Sequence, residues 1–414
     1  MQNEHLQHVH EYIQDLMKNI YRPPQGLFQY PSLTTTAGEF YSAGMFSWDT
    51  HHMTLRFAME GQPEMMKYFL LTMLQFQRSD GFVPCVCSSV DGGKHQKDFH
   101  AQPFLAQNAA IYLAFTGDVE TIRGIFDKLE LYLKFWLKSA AAPLGLFRWR
   151  ETWMSGFDNE IVGTIFPLDS ILSPDLPSLL YMECRAMGYV ARKLGYDGAA
   201  YDELASKIKD AVNAVLWDEE AGIYSFWNLL SGKVQTSWSD GTLNSTVGKY
   251  AYISCPSLLT LFSGVALPDR AGRMIREYVL SPKHFRSKYG IRSLSRSSEY
   301  YNNARWGNPP RFGECRRLTN SNWQGPVWIP LNWFTFHGLL RYGFRDEAAK
   351  LADDTVELIW KSLQDLGFMR ENYNAETGEG LYADQFASWN ILSDCFHRYL
   401  DEPEKALPLF PWEA

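Results

Sequence analysis

The stretch RDEAAKLADDTVELIWKSLQDL, residues 345–366, decides the fold class. Apolar side chains recur every three or four positions and charged side chains occupy the rest, a pattern typical of an amphipathic helix. The apolar stripe comprises Ala348, Leu351, Val356, Ile359 and Leu363. The turn YGFRD (342–346) separates this stretch from a second helical pattern at 327–342. Together they predict two helices joined by a tight reversal.

The same arrangement repeats along the chain. Short turns rich in Gly, Asp and Pro join the members of each pair of helical patterns, whereas long loops separate the pairs. Helices are predicted at 4–20, 47–60, 63–78, 103–116, 118–138, 177–195, 198–217, 254–263, 269–280, 327–342, 345–366 and 384–400. Short strands are predicted at 146–150 and 222–228.

Paired helices of this kind predict an all-α fold, an (α/α)6 toroid formed by one domain, residues 1–414. In this toroid helix 4–20 pairs with helix 384–400 to close the ring. All long loops then lie on one rim, where they form the active site, because long loops in compact domains usually carry function. A generic helical bundle and two separate helical domains are the alternatives.

Composition excludes several classes of protein. The chain has 414 residues, with 39 Lys and Arg against 47 Asp and Glu, a net charge of −8 and no basic block, so we expect no nucleic-acid partner. It contains no apolar run long enough to span a membrane, and its first residues lack the apolar core of a signal peptide. The six cysteines are too sparse for a disulfide framework. We therefore expect a cytoplasmic protein without a membrane partner; a homo-oligomer remains open.

A metal site is not expected. Cys85 and Cys87 form a C-x-C motif with His95 and His100 nearby, but the second ligand pair of a zinc site is missing.

Aromatic residues make up 15% of the chain, including 14 Trp. They indicate either a large core or a surface of flat rings that stacks on sugars. Polar residues stand beside aromatic ones in five clusters: MFSWDTHHM (45–53), RWRETWMSGFDNE (148–160), GIRSLS (290–295), TNSNWQGPVWIPLNW (319–333), and ENYNAETGEG (371–380) with FASWN (386–390). The chain has no G-x-S-x-G, phosphate-loop, dinucleotide or H-E-x-x-H motif. The remaining candidates for catalysis are carboxylates that stand beside aromatic rings. Two carboxylates suffice to hydrolyse a glycosidic bond without a cofactor.

Five motifs in order, FSWD, SGFDN, GIRSLS, NWQGPVW and ENYNAETGEG with a later F-x-S-W, resemble glycoside hydrolase family 63. The resemblance runs from about Phe46 to Trp389, and the trehalases of family 37 are more distantly similar. In size the chain looks most like the bacterial-type mannosylglycerate and glucosylglycerate hydrolases of the family. The resemblance implies an inverting α-glycosidase acting on glucosyl- or mannosylglycerate or on an α-glucoside disaccharide.

By this resemblance Asp158 matches the general acid and Glu371 the general base. Glu376 and Glu379 compete with Glu371, but both lie in a polar, Gly-rich loop and look solvent-exposed. The residues predicted to bind substrate are Trp48, Asp49, Gln102, Trp153, Arg292, Trp323, Gln324 and Trp389. Two features depart from the family pattern: Glu160 stands where Ser is common, and FASWN replaces an FSWS-type run.

Each role has a structural alternative. Asp158 could be a turn or cap residue, Asp49 could cap a helix, and the tryptophans could be core rings. Trp328 and Trp333 are predicted to be core residues. Arg292 could pin a loop carboxylate or bind an anionic substrate. Arg292, Arg296 and Arg311 are the cations considered for a glycerate carboxylate.

Two rival functions are open. A sugar epimerase or sugar-binding toroid would use histidines, for which His51, His52 and His337 are the candidates. A trehalase or glucosidase would differ only in the leaving group that it accepts.

Overall fold

The computed structural model describes residues 2–42, 44–93, 99–237, 248, 250–307 and 321–413. Helices dominate them. The α-helices are α1 (Gln2–Ile20), α2 (Ser47–Met59), α3 (Glu64–Gln75), α4 (Leu105–Thr116), α5 (Val119–Ser139), α6 (Thr152–Ser155), α7 (Ile161–Ile165), α8 (Asp175–Lys193), α9 (Ala199–Val215), α10 (Leu259–Ser263), α11 (Pro268–Met274), α12 (Ile329–Arg341), α13 (Arg345–Leu366) and α14 (Phe396–Asp401). Among these residues, no helix has both the length and the apolar character that a membrane crossing requires.

The strands are two or three residues long and lie in the connections between helices. They are β1 (Tyr21–Arg22), β2 (Ser32–Leu33), β3 (Met45–Phe46), β4 (Val86–Cys87), β5 (Ile171–Leu172), β6 (Trp217–Asp218), β7 (Ile223–Tyr224), β8 (Phe226–Asn228), β9 (Lys233–Gln235), β10 (Arg286–Ser287), β11 (Gly290–Ile291), β12 (Asn372–Tyr373) and β13 (Gly380–Leu381). All pair antiparallel, as β1–β2, β3–β4, β6–β7, β10–β11, β12–β13 and β5–β8–β9. These ladders order the loops and form no extended sheet.

The chain divides into two compact units. The first unit comprises Met1–Leu6, Ala142–Ser178 and Ile208–Ala383, and the second comprises Gln7–Ala141, Leu179–Lys207 and Asp384–Ala414. The single domain expected from the sequence stays a prediction.

Two predicted helix pairs of the second unit are confirmed. Helix α2 packs on α3, and α4 packs on α5. Gly117 ends α4 with a φ of 72°, a conformation that side chains with a Cβ rarely adopt. Asp118 then caps α5 by accepting a hydrogen bond of 3.1 Å from the Thr121 amide. Gly117 and Asp118 thus reverse the chain, as predicted for the short turns rich in Gly, Asp and Pro.

The first unit repeats this pattern. Helix α12 packs on both α10 and α13 and is buried from Ile329 through Leu339. Helix α13 buries only one face, which includes Ala348, Leu351, Val356 and Ile359 of the predicted stripe. The leading helix of this pair is therefore enclosed, while the following helix keeps a solvent-facing side.

Two predicted elements are wrong. Residues 384–400 do not form one helix; a 3₁₀ turn (Ser388–Leu392) and the short α14 replace it. Gln385 and Ser388 have φ of 47° and 25°, which breaks a right-handed helix. Residues 146–150 do not form a strand. Instead, the Arg148 side chain donates a hydrogen bond to the Asp169 carbonyl, and the Trp149 ring N–H donates one to the Asp175 carboxylate. The strand expected at 222–228 is confirmed as β7 and β8.

Candidate active site

Asp158 lies in the turn between α6 and α7 in the first unit. Gly156 ends α6 with a φ of 80°, so the chain turns sharply just before Asp158. The Asp158 side chain is half-buried, and the Ser321 hydroxyl donates a hydrogen bond of 2.9 Å to its Oδ2. The residue that caps α7 is Glu160, not Asp158. The carboxylate of Asp158 is thus placed by a partner distant in sequence, and helix capping does not account for it.

Asn159 anchors this turn. Its side chain is fully buried, and its Oδ1 accepts a hydrogen bond of 2.7 Å from the Trp323 amide. The Gln324 side chain donates to the Asn159 carbonyl oxygen at 2.9 Å. Buried amides satisfied in this way fix the backbone on either side, including that of Asp158.

Glu160, one of the two departures from the family pattern, has a structural role. Its Oε2 accepts hydrogen bonds from the amides of Val162 (2.9 Å) and Gly163 (3.1 Å), and the Ser254 hydroxyl donates to its Oε1. Burial raises the pKa of Glu160 to about 7. The side chain therefore holds the start of α7 directly after the Asp158 turn.

Glu371 is buried and immediately precedes β12. Its amide donates to the Ala383 carbonyl at 3.0 Å, just beyond the paired residues of β12 and β13. Tyr373 and Val327 exchange two backbone hydrogen bonds, of 2.9 and 2.8 Å. The Glu371 strand is thereby tied to the NWQGPVW motif.

The bridging segment, defined here as Ser321–Val327, consequently contacts both predicted carboxylate loops. It bonds to Asp158 through Ser321, and to the Tyr373 backbone, two residues after Glu371, through Val327. The sequence had placed these motifs in one family pattern without showing that one segment connects them. Ser321 and Asn159 are positioning residues that sequence reasoning missed, although both lie within the quoted motifs.

Trp323 and Gln324 form the buried part of the bridging segment. Trp323 stacks on Trp328 with ring centroids 3.8 Å apart and meets the Phe157 ring edge-on at 4.9 Å. Gln324 is fully buried and bonds to Asn159. Their contacts match the core alternative, and their substrate-binding role stays a prediction. Trp328 and Trp333 are buried core residues, as predicted.

Trp153 lies in α6, five residues before Asp158, and is half-buried. Its location in the same turn-flanking helix is compatible with the predicted sugar contact, which stays a prediction.

Arg292 is engaged by protein groups. Its Nε and Nη2 bond to Glu376 Oε1 at 3.1 and 2.9 Å, and its Nη1 donates to the carbonyl of Arg286. Glu376 is exposed, as expected from the sequence, and it is also ion-paired with Arg292. Partial burial raises its pKa, but the hydrogen bond from Tyr301 and the charge of Arg292 outweigh this and lower it. The contacts match the loop-pinning alternative for Arg292.

Arg296, the second cation considered for a glycerate carboxylate, also faces Glu376, with its Nη2 at 3.6 Å from Oε2. Arg311, the third, lies outside the described residues.

In the second unit, Asp49 lies in the first turn of α2 but does not cap it, because the N-cap position belongs to Phe46. The Ser388 hydroxyl donates a hydrogen bond of 2.6 Å to Asp49 Oδ1. Burial raises the pKa of Asp49 to about 6 despite this bond. Its predicted contact with substrate stays a prediction.

Three more predicted residues gather around Asp49 in this unit. Trp48 and Trp389 have ring centroids 6.3 Å apart. Gln102 accepts a hydrogen bond from the Ser47 hydroxyl, at the residue before Trp48. All of the predicted substrate-binding residues of the second unit therefore form one cluster.

The histidines of the rival function are buried, which disfavours their protonated forms. Burial lowers the pKa of His51 well below its ordinary value, that of His52 to about 4 and that of His337 to about 3. His51 stacks on Phe104 at 4.7 Å, and His52 Nδ1 contacts the Trp48 carbonyl at 2.9 Å. Proton transfer by an acidic and a basic imidazole is not favoured in such surroundings.

Near the C-x-C motif, His100 is buried and its ring contacts the Val83 main chain. His95 lies outside the described residues. Within the part of the chain that the structure describes, no group of three His, Cys, Asp or Glu side chains is arranged to hold a metal ion.

Residues 42–389 match the domain family described as the mannosylglycerate hydrolase MGH1-like glycoside hydrolase domain. This region covers most of the chain and includes every predicted site residue, so the chain belongs to this family of glycoside hydrolases. The resemblance to family 63 is thereby confirmed.

Curated relatives share part of the sequence. A mannosylglycerate hydrolase of Rubrobacter radiotolerans is 30% identical over 216 residues, which is 51% of this chain and 40% of the relative. A mannosylglycerate hydrolase of Thermus thermophilus is 29% identical over 175 residues, 42% of this chain and 33% of the relative. The aligned stretches span less than half the length of either relative.

Solved structures share the fold. A family 63 mannosylglycerate hydrolase of Thermus thermophilus in complex with glucose has a TM-score of 0.70 and 20% identity, and the match covers 94% of this chain and 100% of that chain. A neutral trehalase of Saccharomyces cerevisiae has a TM-score of 0.65 and 14% identity, and the match covers 97% and 82% of the two chains. The helix-dominated fold is therefore that of these enzymes.

Proposed function

We propose that this chain is an inverting α-glycosidase in which Asp158 is the general acid and Glu371 the general base. Family membership supports the reaction class. The single observation that supports the two residues is the bridging segment, which hydrogen-bonds to Asp158 itself and to the strand that Glu371 precedes.

In the proposed reaction, Asp158 donates its proton to the glycosidic oxygen as the bond to the anomeric carbon breaks. Glu371 removes a proton from a water that attacks the anomeric carbon from the opposite face. One displacement inverts the anomeric centre, so an α-linked substrate releases a β-sugar. We expect the two carboxyl groups to lie about 6.5–9.5 Å apart, which leaves room for the water.

The proposed substrate is a small α-glycoside, either glucosyl- or mannosylglycerate or an α-glucoside disaccharide. The residues proposed to bind it are Trp48, Asp49, Gln102, Trp153, Arg292, Trp323, Gln324 and Trp389. Similarity to family 63 and trehalase structures also supports the proposal that the helix pairs form an (α/α)6 toroid.

Proton NMR of the first-formed product tests this function. The enzyme is incubated with a panel of α-linked disaccharides and glycosylglycerates, and the anomeric signals are followed before mutarotation. A β-sugar appearing first supports inversion, whereas an α-sugar appearing first contradicts it. An isomerised sugar without bond cleavage would instead identify the epimerase.

A further inference from the structure

Trp306 is an exposed tryptophan next to the Glu371 strand. Its side chain is 51% exposed. Its ring meets the Tyr382 ring edge-on, with centroids 4.8 Å apart and planes at 77°. Tyr382 is buried and directly precedes Ala383, whose carbonyl accepts the Glu371 amide at 3.0 Å. Trp306 therefore rests on the residues that hold the proposed base.

The following residue, Gly307, packs against the Asp158 turn. A Cβ at Gly307 would lie 2.9 Å from Asn159 Cγ and 2.8 Å from Asn322 Oδ1, closer than real side chains approach. Only glycine lets the backbone come this near to Asn159. In addition, the Asn322 side chain donates to the Ala304 carbonyl at 2.8 Å. The backbone on both sides of Trp306 is thus fixed.

The exposed ring of Trp306 and its fixed backbone together point to a ligand. Single exposed apolar side chains are common on protein surfaces and need no explanation by themselves. Trp306 differs because its backbone is anchored at Asn159, beside the proposed acid, while its ring contacts Tyr382, beside the proposed base. A flat ring at such a place can stack on the C–H face of a sugar at little entropic cost.

The shape of the ring indicates which leaving group it would bind. Arg292 and Arg296 both face Glu376, and the Arg305 guanidinium carbon lies 5.8 Å from the centre of the Trp306 ring. A second sugar ring is uncharged and presents the apolar face that an aromatic ring binds. We propose that Trp306 is the stacking surface for a cyclic, uncharged leaving group, so that its ring strengthens binding of an α-linked disaccharide but not of a glycosylglycerate; this inference rests on the proposed function.

Binding to an inactivated enzyme tests the proposal. In an Asp158→Asn background, calorimetry measures the Kd of an α-linked glucosyl-glucose and of mannosylglycerate, with and without Trp306→Ala. We expect Trp306→Ala to weaken disaccharide binding about fivefold to tenfold and mannosylglycerate binding less than twofold. Trp306→Phe should retain most of the disaccharide affinity. Phe115→Ala, which removes another exposed ring (41% exposed, on α4), is the matched control and should change neither Kd.

Equal losses for both ligands, no loss for the disaccharide, or no disaccharide binding at all would overturn the proposal. Failure of the proposed function has a different signature: the Asp158→Asn enzyme would keep normal turnover. In that case kcat/KM is measured for the disaccharide and for mannosylglycerate. The ratio of the first value to the second must fall about fivefold to tenfold in Trp306→Ala for the proposal to stand.

Discussion

Ser321 donates its hydroxyl to Asp158 Oδ2 at 2.9 Å, although 163 positions separate the two residues. A hydroxyl donor favours the ionised form of a carboxylate. The acid role proposed for Asp158 requires the protonated form, whereas this hydroxyl stabilises the ionised form. This relationship makes the role of Asp158 testable through its neighbour as well as directly.

Asp158→Asn is expected to lower kcat by at least about a hundredfold on a substrate with a poor leaving group, because an amide cannot donate the proton. Circular dichroism should show an unchanged fold. The control is Asp169→Asn, which alters an exposed carboxylate eleven positions further on and is expected to leave kcat unchanged. Near-normal turnover in Asp158→Asn would remove this residue from the mechanism.

Glu371→Gln is expected to cause a loss of similar size, since the attacking water would lack its base. Glu379→Gln, at an exposed position of the same hairpin, should retain activity. Glu376→Gln should mainly lower the melting temperature, because it breaks the ion pair with Arg292. Steady-state kinetics with the three variants identifies the base. An active Glu371→Gln enzyme alongside an inactive Glu376 or Glu379 variant would mean that the assignment is wrong.

Ser321→Ala is expected to shift the alkaline limb of the pH–rate profile to higher pH. Loss of the donor disfavours the ionised carboxylate, so the acid stays protonated over a wider range. Ser297→Ala, which removes an exposed hydroxyl bonded to the Lys283 carbonyl, serves as the control. An unchanged alkaline limb in Ser321→Ala would indicate that Asp158 does not set it.

Glu160→Gln is expected to flatten the dependence of stability on pH. Burial raises the pKa of Glu160 from 4.5 to about 7 in the folded chain, so the folded state keeps a proton that the unfolded state releases. The free energy of unfolding therefore falls as pH rises from about 4.5 to 7, by about 3 kcal/mol from this group. A glutamine can still accept from the Val162 amide and donate to Ser254. Urea titrations between pH 5 and 8 measure the effect; a wild-type slope retained in the variant would contradict it.

The sequence predicted the helix pairs well because each relies on local signals. Periodicity defines α13, and Gly117 with Asp118 defines the turn before α5. The helix predicted at 384–400 is wrong, because positive φ angles at Gln385 and Ser388 interrupt the helix that the apolar pattern indicates. Such angles are imposed by tertiary contacts, for example the bond from Ser388 to Asp49.

For the candidate site, the sequence located the motifs but not the contacts among them. Motif resemblance selected Asp158 and Glu371, but not the residues that place them. Glu160 could be noted only as a departure, since its partner Ser254 lies 94 positions away. Likewise, Arg292 left two alternatives until its contact with Glu376, 84 positions distant, was known.

The reciprocal backbone pair between Val327 and Tyr373 has a consequence for solvent exchange. Both residues are fully buried, and each amide is protected by the carbonyl of the other. Deuterium can reach neither amide until the bridging segment separates from β12, so both amides report one opening event. The Val327 and Tyr373 amides should therefore show the same free energy of opening once each exchange rate is corrected for its intrinsic rate. A bound sugar that contacts both loops would raise this free energy for the two amides together, which makes it a label-free measure of site occupancy.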